Sequence, residues 1–216
     1  MDTTTDLLRT AKKDSVWAAT AEMPDCRPLT QNAEADVCIV GGGIAGLTTA
    51  YLLGRQGKSV VLLDDGPLAG GMTTVTTAHL SNAIDDRIFE IERWHGEEGA
   101  RLAVESHGAA IDQIEAIVRE LAIDCDFKRL DGYLFLAPGD NAELLEKELA
   151  AAQRAGLART EMVARAPLTK FDTGPCIRFP NQARFHPLKY LAALAAAIQA
   201  QGGQLYTKSH VDSIEG

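Results

Sequence analysis

The sequence lacks several features that would point its function elsewhere. Its four cysteines, Cys26, Cys38, Cys125 and Cys176, lie far apart, and none forms the close pair of a zinc knuckle or a redox dithiol. They read as reduced thiols, with Cys38 a small hydrophobe inside an apolar strand run. The five histidines, His79, His95, His107, His186 and His210, show none of the i, i+4 or paired spacings that build a metal site. No run approaches the roughly 20 apolar residues of a membrane span. The polar start from Met1 to Asp14 has no apolar core of a secretory signal, so a cytoplasmic chain is expected. Positive charge is in deficit: 21 Lys and Arg against 30 Asp and Glu give a formal net charge of -9. Such a field repels phosphate backbones and anionic headgroups, which argues against a nucleic-acid partner.

What remains is a chain of 216 residues, 46% hydrophobic and 24% charged. That is the composition of a soluble globular protein, long enough for one sizeable core or for one domain plus part of a second. Residues 1–34 carry no sustained periodicity and read as an extended arm laid over a domain, with Trp17 as its anchor. From Asp36 the texture changes. Val37 to Val40 is a short buried-strand run, Ala45 to Gln56 a helix, and Ser59 to Leu63 a second apolar run. Parallel strands need a crossover connection, so the two strands should lie side by side with the helix packed across them in the right-handed sense. Further on, Asp85 to Trp94 and Glu97 to Leu121 carry an amphipathic pattern whose core face includes Ile111, Ile114, Ile117, Val118 and Leu121. Asp131-Gly132 between two apolar runs predicts a two-residue hairpin turn. Asn141 to Ala155 and Leu188 to Gln201 read as helices, the second opened by His186-Pro187 and closed by Gly202-Gly203. Gln204 to Thr207 and His210 to Ile214 are short strand candidates.

The chemistry concentrates between Asp36 and Asp64. Gly41-Gly42-Gly43-Ile44-Ala45-Gly46 fits the G-x-G-x-x-G fingerprint and stands where it must, after a strand and at the opening of a helix. Gly41 permits the tight turn, Gly43 lets backbone approach a pyrophosphate, and Gly46 lets the helix pack close to the strand. Free N–H groups from Gly43, Ile44 and Ala45 onward, with the positive end of the helix dipole, suit the phosphates. Asp64 closes the second strand, followed by Asp65, where an acid can accept hydrogen bonds from an adenosine ribose. A carboxylate there disfavours a 2′-phosphate, and with it NADP. The fingerprint alone serves FAD and NAD alike.

The run from Asp36 to Tyr51, with Val60-Val61-Leu62-Leu63-Asp64, resembles the FAD-binding opening of the D-amino-acid oxidase and glycine oxidase superfamily. That superfamily usually carries glutamate where this chain has Asp64, and aspartate shortens the reach of the carboxylate. Gly70-Gly71-Met72-Thr73-Thr74-Val75-Thr76-Thr77-Ala78-His79 resembles the superfamily's loop beside the pyrophosphate and isoalloxazine, which implies cofactor contacts at Gly71, Thr73, Thr74, Thr76, Thr77 and Ala78. The resemblance also implies that the backbone of Val211 meets adenine. Some relatives attach flavin covalently to a histidine after Gly-x-Thr; Val75 occupies that threonine's position here, so no linkage through His79 is expected. Ser15-Val16-Trp17, Thr76 to Leu80, Asp124 to Phe127, Leu130 to Leu134 and Phe185 to Leu191 resemble a subgroup whose flavin domain precedes a Rieske iron–sulfur domain. Where that subgroup often has Gly-Arg before Thr-Thr-Ala-His, this chain has Thr74-Val75.

The expected fold is α/β: a Rossmann-like FAD-binding βαβ unit with a second, mixed α+β substrate region, incomplete at its C-terminus. The expected divisions are an arm at 1–34, the βαβ unit and flavin loop at 35–84, a substrate cover at 85–185 and a return to the flavin domain at 186–216. The resemblance implies oxidation of a C–N or C–O bond of a small-molecule substrate, an amine or amino acid in the first place, by hydride transfer to flavin N5. No catalytic residue or metal ligand is assigned in this segment. A [2Fe–2S] cluster would belong to a longer parent, because the two-cysteine, two-histidine spacing of Rieske ligands is absent. Two alternatives stand beside this reading: an NAD-dependent dehydrogenase, and a non-catalytic truncated dinucleotide-binding fragment.

Overall fold

In the computed structural model, which describes residues 15–215, the chain gathers into two compact units. The first comprises the described residues through Ala78, Glu120–Cys125 and the chain from His186 onward; the second comprises His79–Arg119 and Asp126–Phe185.

The first unit begins with α1 (Val16–Thr20), capped at its start by the Ser15 side chain. Then come β1 (Val37–Val40), α2 (Ile44–Arg55) and β2 (Val60–Leu63). After the second unit the chain returns as α5 (Pro187–Ala200) and β7 (Gln204–Tyr206). The strands form a parallel sheet in the order β1-β2-β7, with Val37 opposite Val60 and Leu62 opposite Leu205. At the start of the first pair, Asp36 and Ser59 exchange hydrogen bonds, each amide donating to the other's side chain at 2.8 Å. The Ser59 amide and hydroxyl, both donating to Asp36 Oδ2, hold its carboxyl below the ordinary value. Helix α2 packs on β2 and α5; Leu47, Ala50 and Tyr51 of α2 and Leu191, Leu194 and Ile198 of α5 are buried.

The second unit contains β3 (His79–Leu80), α3 (Ile88–Glu120), β4 (Lys128–Phe135), α4 (Glu143–Arg154), β5 (Glu161–Val163) and β6 (Cys176–Arg184). Helix α3 is broken at Gly96, whose φ of 73° is non-helical. Its sheet is antiparallel and built on β6, which has β4 along one edge and β3 and β5 on the other. Ile88, Ala100, Val104, Leu145, Ile177 and Phe179 are among the residues of its core.

Several expectations are corrected. Asp131-Gly132 makes no hairpin turn; it lies inside the continuous strand β4, where β6 places Pro180 and Asn181 opposite Asp131 alone. This bulge leaves Gly132 so close to Gln182 that a Cβ would stand 3.1 Å from its Cγ. The carboxylate of Asp131 is held instead by Arg178 at 2.9 Å. Strand β6 was hidden because proline and polar residues interrupt its pattern. His210 to Ile214 is not a strand: after β7 the chain turns through Lys208, at φ 52°, and bonds back to the loop after β2. Strand β1 is also not buried on both faces. Ile39 turns toward α2, whereas Cys38 and Val40 are exposed, because no described residue covers the other face. The arm is not wholly extended, since α1 interrupts it, while the portion before Ser15 lies outside the described residues.

Candidate dinucleotide-binding site

The turn from β1 into α2 is shaped by its glycines. Gly41, at φ 104°, donates its amide to Leu63 O at 2.8 Å and so extends the parallel pairing by one residue. A Cβ on Gly46 would lie 1.9 Å from the Gly41 carbonyl oxygen, so the helix can approach the turn only without one. Gly43 is the N-cap of α2, at φ -81° and ψ -169°, with no side-chain cap. The N–H groups of Ile44, Ala45 and Gly46 therefore have no intrahelical acceptor, and no acidic residue stands in the first turn to compete for them. Around Gly43 there is room: a Cβ would meet only Thr73 Oγ1, at 3.7 Å.

Asp64 joins two turns. Its Oδ2 accepts the Gly42 amide at 2.6 Å and its Oδ1 the Gly66 amide at 2.8 Å. Gly42 is fixed from its other side as well, its carbonyl accepting the Ala69 amide at 2.9 Å. A carboxylate offers about four lone-pair sites, so Asp64 keeps acceptor capacity for a sugar hydroxyl. Gly42 and Gly66 are partners of Asp64 that the fingerprint does not specify; their place beside a fingerprint glycine and the strand-ending acid is the available signal in the sequence.

The loop beyond β2 carries the other expected residues. Thr73 turns its hydroxyl toward Gly43, and Thr74, in a 3-10 turn at Met72–Val75, is buried and donates its hydroxyl to Gly71 O at 2.9 Å. Gly71 and Thr77 are exposed. Thr76 Oγ1 accepts the amide of Ala78, which is buried at φ 59°. Val211 follows a segment tied to the same end of the sheet, where the Ser209 amide donates to Asp64 O at 2.9 Å. Asp65 is exposed with His210 Nδ1 at 4.0 Å. All these residues belong to the first unit. Uncapped amides, space at Gly43 and a carboxylate bonded to the same glycine turn fit a dinucleotide.

A family model described as FAD dependent oxidoreductase matches residues 36–216. The chain belongs to that family. Its relatives include a Bacillus subtilis (strain 168) protein whose name describes a Rieske 2Fe-2S iron-sulfur protein, YhfW; it is 35% identical over 91% of this chain and 38% of its own length. The gamma-glutamylputrescine oxidoreductase of Escherichia coli K12 is 28% identical over 87% of this chain and 45% of its own. Among solved structures, glycine oxidase from Geobacillus kaustophilus shares the fold at a TM-score of 0.68 with 18% identity, covering 84% of this chain and 48% of that one. The chain thus spans less than half the length of each of these proteins. Among the described residues no helix is long and apolar enough to cross a membrane, and no group of three His, Cys, Asp or Glu could hold a metal ion.

Proposed function

We propose that the first unit binds FAD in an extended pose and that the protein oxidises a C–N bond, in an amine or amino acid, by hydride transfer to flavin N5. The observation that carries this reading is the uncapped start of α2 beside an open Gly43, with Asp64 bound to the same glycine turn. The amides from Gly43 to Gly46 would hold the pyrophosphate and favour its negative charge. Asp64 would accept from the adenosine ribose, and the backbone of Val211 would face adenine. Gly71, Thr73, Thr74 and Thr76 to Ala78 would line the flavin side, with small side chains that leave room for a ring. FAD, when bound, supplies the hydride acceptor. The amine or amino-acid substrate is supported by the names of the E. coli relative and of glycine oxidase.

The name of the B. subtilis relative raises an iron–sulfur centre. The described residues do not fit one, lacking any metal-binding group of three, and no step is assigned to it. The test of the flavin reading is to purify the protein, denature it with heat and identify the released cofactor. FAD is expected. A colourless protein that retains NAD would favour the dehydrogenase alternative.

A further inference from the structure

Helix α1 ties the cradle's two sides together. The Trp17 indole N–H donates to Thr76 O at 2.8 Å, and the indole stands edge-on to the His186 ring, centroids 5.0 Å apart at 73°. His186 caps α5, its Nδ1 accepting the Lys189 amide at 3.2 Å. With that lone pair in use, the neutral ring carries its proton on Nε2, which donates to Thr20 Oγ1 at 2.9 Å. The Thr20 hydroxyl then donates to Val16 O within α1. Helix α5 packs in turn on α2 and on the 3-10 turn at Met72–Val75. Two residues past Thr76, Ala78 holds a positive φ, a conformation that persists in a non-glycine residue only when its surroundings over-determine it.

We infer that Trp17 is a positioning residue of the cofactor cradle: its indole N–H, braced on His186, fixes the Thr76 carbonyl and with it the Thr76 to Ala78 turn on the flavin side. This rests on the FAD reading for its consequence, though not for its geometry. A segment that reads in sequence as a covering arm thereby becomes part of the site.

The test is Trp17→Phe in the intact protein. Phenylalanine keeps an aromatic ring beside His186 while deleting the donor together with part of the indole's volume. Two readouts are compared with wild type: hydrogen exchange of the amides from Thr76 to Ala78 without FAD, and FAD affinity by titration. Loss of one hydrogen bond should raise both the exchange rate and the FAD dissociation constant about fivefold. The apoprotein melting temperature should stay near wild type, which separates positioning from general stability. Unchanged exchange overturns the inference, and faster exchange with unchanged FAD affinity overturns the cofactor role. If wild type takes up no FAD, the flavin reading fails, and the exchange comparison still decides whether Trp17 holds the turn. Should Trp17→Phe fail to fold, Thr20→Val, which removes the acceptor of His186 Nε2, decides by the same readouts: a shift in the same direction supports the inference, and no shift overturns it.

Discussion

Asp64, at the end of β2, accepts the amide proton of Gly42 at 2.6 Å, across 22 residues of sequence. The bond makes the strand-ending acid a structural member of the glycine turn. Asp64→Ala leaves two amides, those of Gly42 and Gly66, without their acceptor. A partly buried loss of that kind costs about 1–2 kcal/mol. Urea denaturation of the FAD-free variant should show it, together with weaker FAD binding; a variant as stable as wild type would show that the two bonds carry no weight.

Gly43 and Gly46 should fail in different ways. At Gly46 an added Cβ meets a backbone carbonyl at 1.9 Å, so Gly46→Ala must push α2 off the turn. About 3 kcal/mol of lost stability is expected, the upper end for overpacking, as measured by denaturation without cofactor.

At Gly43 the backbone is extended and a Cβ would be in ordinary contact with Thr73 alone. Gly43→Ala should therefore melt like wild type yet bind FAD at least about tenfold more weakly, equivalent to about 1.4 kcal/mol. Unchanged affinity would show that this turn is not the pyrophosphate seat.

Glu148 of α4 is 1% exposed, with Oε2 accepting the Phe89 amide at 3.4 Å and Oε1 without a partner. Burial raises its carboxyl above the ordinary value of 4.5, against an opposing pull from the Ile88 and Phe89 amides and Arg87. Between those two values the folded chain binds more protons than the unfolded one, so stability falls as pH rises through that window. Glu148→Gln should remove that slope and melt higher than wild type at neutral pH. Melting curves from pH 4 upward check it; an identical slope in the variant would assign the pH dependence to other groups.

The four thiols should separate by reactivity. Cys38 is exposed on β1, whereas Cys26, Cys125 and Cys176 are buried. Burial also pushes the thiols of Cys26 and Cys176 up, away from thiolate. An aromatic disulfide reagent should modify one thiol rapidly in the native protein, and Cys38→Ser should abolish that phase. A fast phase that survives the substitution would place the exposed thiol elsewhere.

Much of the glycine turn's backbone geometry was legible in sequence because its causes are local. Whether Gly41 can take a left-handed turn, whether a helix can begin at Gly43 and whether its first amides lack acceptors depend on residues within a few positions of each other. The period of the apolar runs likewise placed β1, α2 and β2, and the proline and glycines around α5 marked its ends.

What only the tertiary structure decided depends on partners distant in sequence. Asp131-Gly132 has the composition of a hairpin turn, but β6, more than forty residues later, pairs with both sides of it and turns it into a bulge opposite Pro180 and Asn181. Cys38 has the sequence context of a core residue and is exposed, because burial of a strand's second face depends on what lies against it. Trp17 looked like an anchor in sequence, yet its partners, Thr76 and His186, lie 59 residues from it in one case and far across the chain in the other. Local sequence sets backbone conformation, which a few adjacent residues determine by sterics and hydrogen bonding. Which distant groups then meet is set by packing the whole chain, and no window of sequence contains that information.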